Sequence, residues 1–247
     1  MYVQMAEVEN RHWWFVARRC LFREVLALCR LDPAATIVDL GCGTGGNFGL
    51  LKNYGQVLGL ELDPAAAQIA SARGPVVQGG AEQRWPLAPA SIDAVTAFDV
   101  LEHIDDDQAA LANIFASLRP GGRLILSVPA YQWLWSEHDE LLHHRRRYVA
   151  GQVDSLARGA GFTVDYISYH NCLLFPVSLL SRMLSRLSFG RLRVDENRIP
   201  WAPVNALLRI TYGLERHLLK RRIRLPFGLS IIAILSRPGQ DRMQKGV

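Results

Sequence analysis

The chain has 247 residues, 49% hydrophobic and 21% charged, which suits one α/β domain with an elaboration, or two small ones, and excludes disorder as the default. Its net charge of +5 is uneven: residues 171–228 hold eleven Lys and Arg against three acids, so that segment carries +8 and the remainder −3. Residues 1–20 contain Glu7, Glu9, Arg11, His12, Arg18 and Arg19 in place of a signal-type apolar core, and no apolar run approaches the ~18 residues needed to span a bilayer.

In chain order, residues 10–30 read as a helix, with Trp14, Ala17, Leu21, Val25 and Leu28 at three- and four-residue spacing. Pro33 ends it. Short runs rich in Val, Ile and Leu then predict strands at 36–40, 56–62, 75–78, 92–98 and 123–128, with helices at 45–53, 64–73 and 106–118 between them. Such alternation fits a parallel sheet covered on both faces. A helix near 150–160 and a strand near 162–169 follow. Residues 171–228 break the rhythm with Pro176, Pro200, Pro203 and Pro226. They predict two amphipathic helices, one carrying Val177, Leu180, Leu184 and Leu187, the other Val204, Leu207, Leu208, Leu214 and Leu218. A last strand is expected at 229–235, followed by a polar tail. Cys20, Cys29, Cys42 and Cys172 form no C-x-x-C pair, so a disulfide framework is not expected and a reducing, cytosolic compartment is.

The chemistry concentrates at "IVDLGCGTGGNFGLL", residues 37–51, where Gly41, Gly43 and Gly46 match G-x-G-x-x-G. A strand ends, the chain turns tightly, and a helix opens with unpaired N–H groups. Glu61, at the end of the second strand, is placed to accept hydrogen bonds from ribose hydroxyls. A dinucleotide enzyme would show the same spacing. Asp39 discriminates: a carboxylate two residues before Gly41 repels a pyrophosphate and suits a cationic ligand. "VDLGCGTG" at 38–45, "GLELDP" at 59–64, "FDVLEHIDD" at 98–106 and "LRPGGRLILSVP" at 118–129 together resemble the class I S-adenosylmethionine-dependent methyltransferases. The resemblance implies a Rossmann-like α/β fold of seven strands, the last antiparallel. It implies S-adenosyl-L-methionine as cofactor and S-adenosyl-L-homocysteine as product. It also implies that Asp39, Gly41, Cys42 and Gly43 hold the methionine end, Glu61 the ribose and Leu62 a face of the adenine. Phe98 and Asp99 would lie near the reactive methyl. Gly80 stands where the family commonly has Asp, which leaves the Ala81 backbone and the Glu82 side chain for the adenine amino group.

"SVPAYQWLWSEHDELLHHRRRY", 127–148, follows the fifth strand and so faces the cofactor. His138, Asp139 and His144 are candidate proton acceptors. A metal on the same three residues is disfavoured by Arg145, Arg146 and Arg147, and no metal is expected. Two readings need no chemistry: arginines that only fix a loop, and tryptophans that only pack. His103, in "LEHI", is a further candidate near the methyl, with a histidine bonded to backbone as the preferred reading. "HWWF-x-x-R" at 12–18, "HDE-x-x-x-H-x-RRY" at 138–148 and "LPFGLS" at 225–230 resemble a bacterial subgroup of the same methyltransferases. The departure is His143, where the subgroup often has glycine.

These readings divide the chain into an N-terminal helical cap (1–34), a cofactor-binding core (35–170), a basic helical insertion or lid (171–228) and a final strand with its tail (229–247). The expected activity is methyl transfer to a small apolar, lipid-linked or secondary-metabolite acceptor, at oxygen or carbon. The alternatives are an NAD-type oxidoreductase, or a membrane-associated protein that binds the cofactor without turnover. The expected location is cytoplasmic. For residues 171–228 the readings are contact with anionic lipid at the inner membrane face or a homodimer interface. Nucleic acid is disfavoured for want of a recognised RNA-binding motif.

Overall fold

The computed structural model describes residues 2–83, 85, 87–180 and 199–239. Seven strands form one sheet: β1 Thr36–Leu40, β2 Gln56–Glu61, β3 Val76–Gln78, β4 Ile92–Phe98, β5 Leu118–Pro129, β6 Thr163–His170 and β7 Ser230–Ser236. Their order is β3-β2-β1-β4-β5-β7-β6. β1 to β5 pair in parallel, and β7 runs antiparallel to both β5 and β6. The seven-stranded sheet with an antiparallel last strand is the one expected from the sequence. β4 and β7 are buried along almost their whole lengths, as strands covered on both faces must be.

The helices are α1 Tyr2–Val8, α2 Trp13–Cys29, α3 Phe48–Leu51, α4 Pro64–Ser71, α5 Asp107–Ser117, α6 Glu137–Leu141, α7 Ala150–Gly159, α8 over 175–180, α9 Ala202–Leu214 and α10 Arg216–Lys220. α2 begins where His12 Nδ1 accepts the Trp14 N–H, and ends at Arg30, which takes a left-handed conformation. Its Leu21, Phe22, Val25 and Leu26 are fully buried against Ile37, Ala94, Ile125, Ile232 and Ile234 of the sheet. Each such side chain contributes about 2 kcal/mol of burial. Val38, Val95, Leu124, Leu126 and Leu235, the alternate residues, pack on the opposite face with Leu111 and Ile114 of α5.

Residues 171–228 depart from expectation in one respect. The run 204–222 is two helices, because Glu215 is buried at the break and accepts the Leu173 N–H at 2.7 Å. α9 packs on α2 through Asn205, Leu208 and Tyr212, which leaves its longest apolar stripe uncovered. Asn205 decides this: its Oδ1 accepts the Trp13 N–H and its Nδ2 donates to the Arg11 carbonyl. Trp201, Val204, Leu207, Ile210 and Leu214 are left facing solvent. Leu184 and Leu187 lie outside the described residues. α1 and α6 are too short to show a helical period in sequence, and neither was expected.

Candidate active site

Four of the strands, β1, β4, β5 and β6, are followed at their carboxyl ends by residues in left-handed conformation. Gly41 and Gly43 follow β1 with φ of 61° and 55°; Asp99 follows β4, Tyr131 β5 and Asn171 β6, all with φ near 60°. A non-glycine residue in the left-handed region costs on the order of 1–2 kcal/mol, and such residues gather where a ligand dictates the backbone. A Cβ on Gly41 would meet Val100 Cγ2 at 2.7 Å, so that turn requires glycine on two counts.

The carboxylates sit on either side of this turn. Asp39 is paired in register with Gly59 and Thr96 of its neighbouring strands. Thr96 Oγ1 donates to Asp39 Oδ1 at 2.7 Å, while Oδ2 is buried with no hydrogen-bond partner. Burial, aided by the charge on Glu61, pushes the carboxyl up to about 7 against the hydrogen bond from Thr96. Glu61 accepts the Gly43 N–H on Oε2 and the Asp63 N–H on Oε1, at 2.7 and 2.9 Å. Cys42 is buried under the turn, and burial raises its thiol well above the ordinary range. Leu62, beside Glu61, is 60% exposed and offers an apolar shelf.

Two partners of the turn escaped the sequence reading. Glu9, just after α1, is buried, accepts from Thr44 Oγ1 at 2.8 Å and pairs with Arg73. Gly46 makes room for it: a Cβ there would lie 2.5 Å from Glu9 Oε2. Met5 of α1 reaches over Gly43. An isolated Glu in a polar N-terminal stretch carries no signal of this role. The Ala81 carbonyl accepts from Asn113 Nδ2, and Glu82 Oε1 caps the Asp106 N–H.

The end of β4 faces α2. Phe98 stacks on Phe22 with ring centroids 3.8 Å apart, so its ring belongs to the core. Asp99 is bound by Arg18 at 2.5 Å and accepts from Ser127 Oγ at 3.1 Å. The Arg18 guanidinium lies 5.0 Å from the centroids of both Trp14 and Phe22. Trp14 in turn stacks on Tyr212 of α9, whose hydroxyl is 2.8 Å from His170 Nδ1. "HWWF-x-x-R" is thus a joint: His12 caps the helix, Trp13 and Trp14 meet α9, and Arg18 holds Asp99. Burial, with Arg18 nearby, pushes His170 down to about 3, so it is neutral in this joint.

Beyond β5, Asp139 is completely buried. It accepts two hydrogen bonds from Arg147, at 2.7 and 2.9 Å, and one from His144 Nδ1 at 2.8 Å. Burial raises its carboxyl, but the bonds from His144 and Arg147 outweigh this and hold it below the usual carboxylate range. So tied, Asp139 is unsuited to take a proton, in contrast to the sequence expectation; it positions His144. His138 is half-buried on α6. His143 has φ 57°, a left-handed conformation that glycine adopts more readily than any other residue. His103 follows its preferred reading in part, with a hydrogen bond to the His143 backbone, and its ring meets His144 edge-on at 4.7 Å.

Residues 38–126 match the family model described as a methyltransferase domain. Over that stretch the chain is similar to a methyltransferase domain. It is 30% identical over 161 residues to a probable S-adenosylmethionine-dependent methyltransferase of Mycolicibacterium smegmatis, a match covering 63% of this chain and 62% of that one. The chain therefore spans less than two thirds of that relative's length. Its fold is similar to a chain from the complex of the Haloferax volcanii Trm112 methyltransferase activator with a methyltransferase (TM-score 0.61, 20% identity, 94% and 93% of the two chains). It is also similar to geranyl diphosphate methyltransferase in complex with S-adenosylmethionine (TM-score 0.59, 15% identity, 90% and 85%). The fold is the Rossmann-like α/β fold of class I methyltransferases. The glycine turn suits S-adenosylmethionine. A buried, unpartnered carboxylate oxygen beside two glycines in left-handed conformation matches an ammonium and leaves no room for a pyrophosphate's charge. The oxidoreductase alternative is not favoured.

Proposed function

We propose that this chain transfers a methyl group from S-adenosylmethionine to a small apolar or lipid-linked acceptor, at oxygen or carbon. The unpartnered Asp39 oxygen under the glycine turn carries the cofactor half of this reading. Asp39 holds the ammonium, Gly41, Cys42 and Gly43 line the methionine end, Glu61 takes the ribose diol, and Leu62 covers the adenine. Ala81 and Glu82 border the adenine amino group. Asp99 stands nearest the methyl, with Phe98 fixing its backbone from the core. The bound cofactor supplies a methyl activated by sulfonium, so alignment of the acceptor can provide most of the acceleration. For an oxygen acceptor, His144 or His138 takes the proton, and Asp139 keeps His144 in one tautomer.

The apolar acceptor is supported by an aromatic cluster past β5 and β6. Tyr131 stacks on Tyr169 at 5.2 Å, Trp133 and Phe175 meet at 6.2 Å, and Phe175 contacts Phe227. Incubation with methyl-labelled S-adenosylmethionine and a bacterial lipid extract is expected to move label into the organic phase. Label appearing only in water-soluble metabolites overturns the apolar acceptor.

Residues 171–228 are read as a peripheral contact with an anionic membrane. Supporting this, the solvent-facing stripe Trp201, Val204, Leu207, Ile210 and Leu214 neighbours exposed Lys220, Arg221, Arg222 and Arg224. No helix among the described residues is long and apolar enough to cross a membrane. The chain is expected to sediment with vesicles containing anionic lipid and to be released by salt. A chain that stays in the supernatant at low salt and is dimeric assigns the stripe to a homodimer instead.

A further inference from the structure

Glu102, His103 and His144 meet just beyond β4, and methyl transfer as described leaves Glu102 and His103 without a task. One ligating atom from each lies within 4.8 Å of the others. Glu102 is wholly buried, and neither of its carboxylate oxygens has a hydrogen-bond partner. A buried polar group without a partner is rare and costly, and protonation would not resolve it, because a carboxylic acid also needs an acceptor for its O–H. The two imidazole planes are nearly perpendicular, at 82°.

His144 is prepared for a ligand from behind. Its Nδ1 is bonded to Asp139, whose charge is fixed by Arg147, so Nδ1 carries the proton and Nε2 keeps a lone pair. A carboxylate behind the far nitrogen is the usual support of a metal-ligating histidine. The arginines that counted against a metal in the sequence are neutralised by their own partners. Arg145 pairs with Asp105, Arg146 with Asp107 and Arg147 with Asp139.

We propose that Glu102, His103 and His144 bind a divalent transition-metal ion, with Asp139 orienting His144 from outside the ligand set. Two imidazoles and one carboxylate suit Zn²⁺, Mn²⁺, Fe²⁺ or Co²⁺ and leave coordination positions open. The site opens to solvent on the His103 side and lies close to Asp99. An oxygen of the methyl acceptor would occupy an open position, with His138 and not the ligating His144 left to take its proton; that use rests on the methyl-transfer reading, whereas binding of the ion does not.

The full chain, freed of metal by chelator, is titrated with Co²⁺ alone and followed by its visible d–d absorption and by calorimetry. Wild type is expected to bind one equivalent. Glu102→Gln, His103→Ala and His144→Ala are each expected to weaken binding at least tenfold, and Asp139→Asn about tenfold with the stoichiometry kept. His217→Ala, an exposed histidine of α10, should bind as wild type. Circular dichroism selects the variants that fold, and His103→Ala, at a solvent-exposed residue, serves if Glu102→Gln does not. No stoichiometric Co²⁺ binding by folded wild type overturns the site, as does binding unchanged in Glu102→Gln and His144→Ala or lost in His217→Ala. S-adenosylhomocysteine binding, measured on the same samples, separates failure of the metal site from failure of the methyltransferase reading.

Discussion

Asp39→Asn is expected to weaken S-adenosylhomocysteine binding about 30-fold or more, with the fold intact. Removing one partner of a buried, hydrogen-bonded charge pair costs at least about 2 kcal/mol, which is about 30-fold in affinity. The amide is close in shape to the protonated acid and still accepts the Thr96 hydroxyl at Oδ1. The pH dependence follows from the carboxyl pushed up to about 7 by burial. The ligand ammonium needs the ionised form, so wild-type affinity should rise with pH up to about 7 and level off above it. The Asn variant should lack this rise. Stability moves the other way. The folded state binds this proton more tightly than the unfolded chain, so Asp39 costs stability as pH climbs from about 4 to 7. The Asn variant should therefore unfold at pH 8 no earlier than wild type. Calorimetric titration and thermal unfolding across pH measure both.

Arg147→Met is expected to be the most damaging substitution to the fold around the site. It leaves the fully buried Asp139 without its bidentate partner. Breaking a buried pair from one side costs about 3–5 kcal/mol. For a chain of this size that is a fall in Tm of roughly 10 °C. Replacing both residues, Arg147→Met with Asp139→Leu, should recover most of the loss, because no charge is then stranded. A single variant that loses less than about 1 kcal/mol would mean that the pair is solvated. The same pair predicts acid sensitivity. Asp139 is held below the ordinary carboxylate range, so its contribution is complete above about pH 4 and is lost as pH falls below that.

The sheet was legible because its strands are short, apolar runs buried on both faces, and the turn because only glycines and two carboxylates at fixed spacing make it. What sequence could not supply were pairings between distant segments. Arg18 finds Asp99, Glu9 finds Thr44, and Glu102 finds His144, each across a stretch of chain that no local period spans. Asp139 read as a candidate base because an acidic residue between histidines suggests proton transfer; burial against Arg147 gives it a different task. On α9 the apolar spacing marked a face without saying what covers it. Asn205 turned the helix, and a single polar residue in an apolar helix gives no hint of that.

The most direct test is calorimetric titration of the wild-type chain with S-adenosylhomocysteine and, separately, with NAD. A cationic cofactor site framed by Asp39 and Glu61 predicts binding of the first at one per chain, tightening as pH rises to about 7, and no binding of the second. Tight NAD binding, or S-adenosylhomocysteine affinity indifferent to Asp39→Asn, would contradict the account.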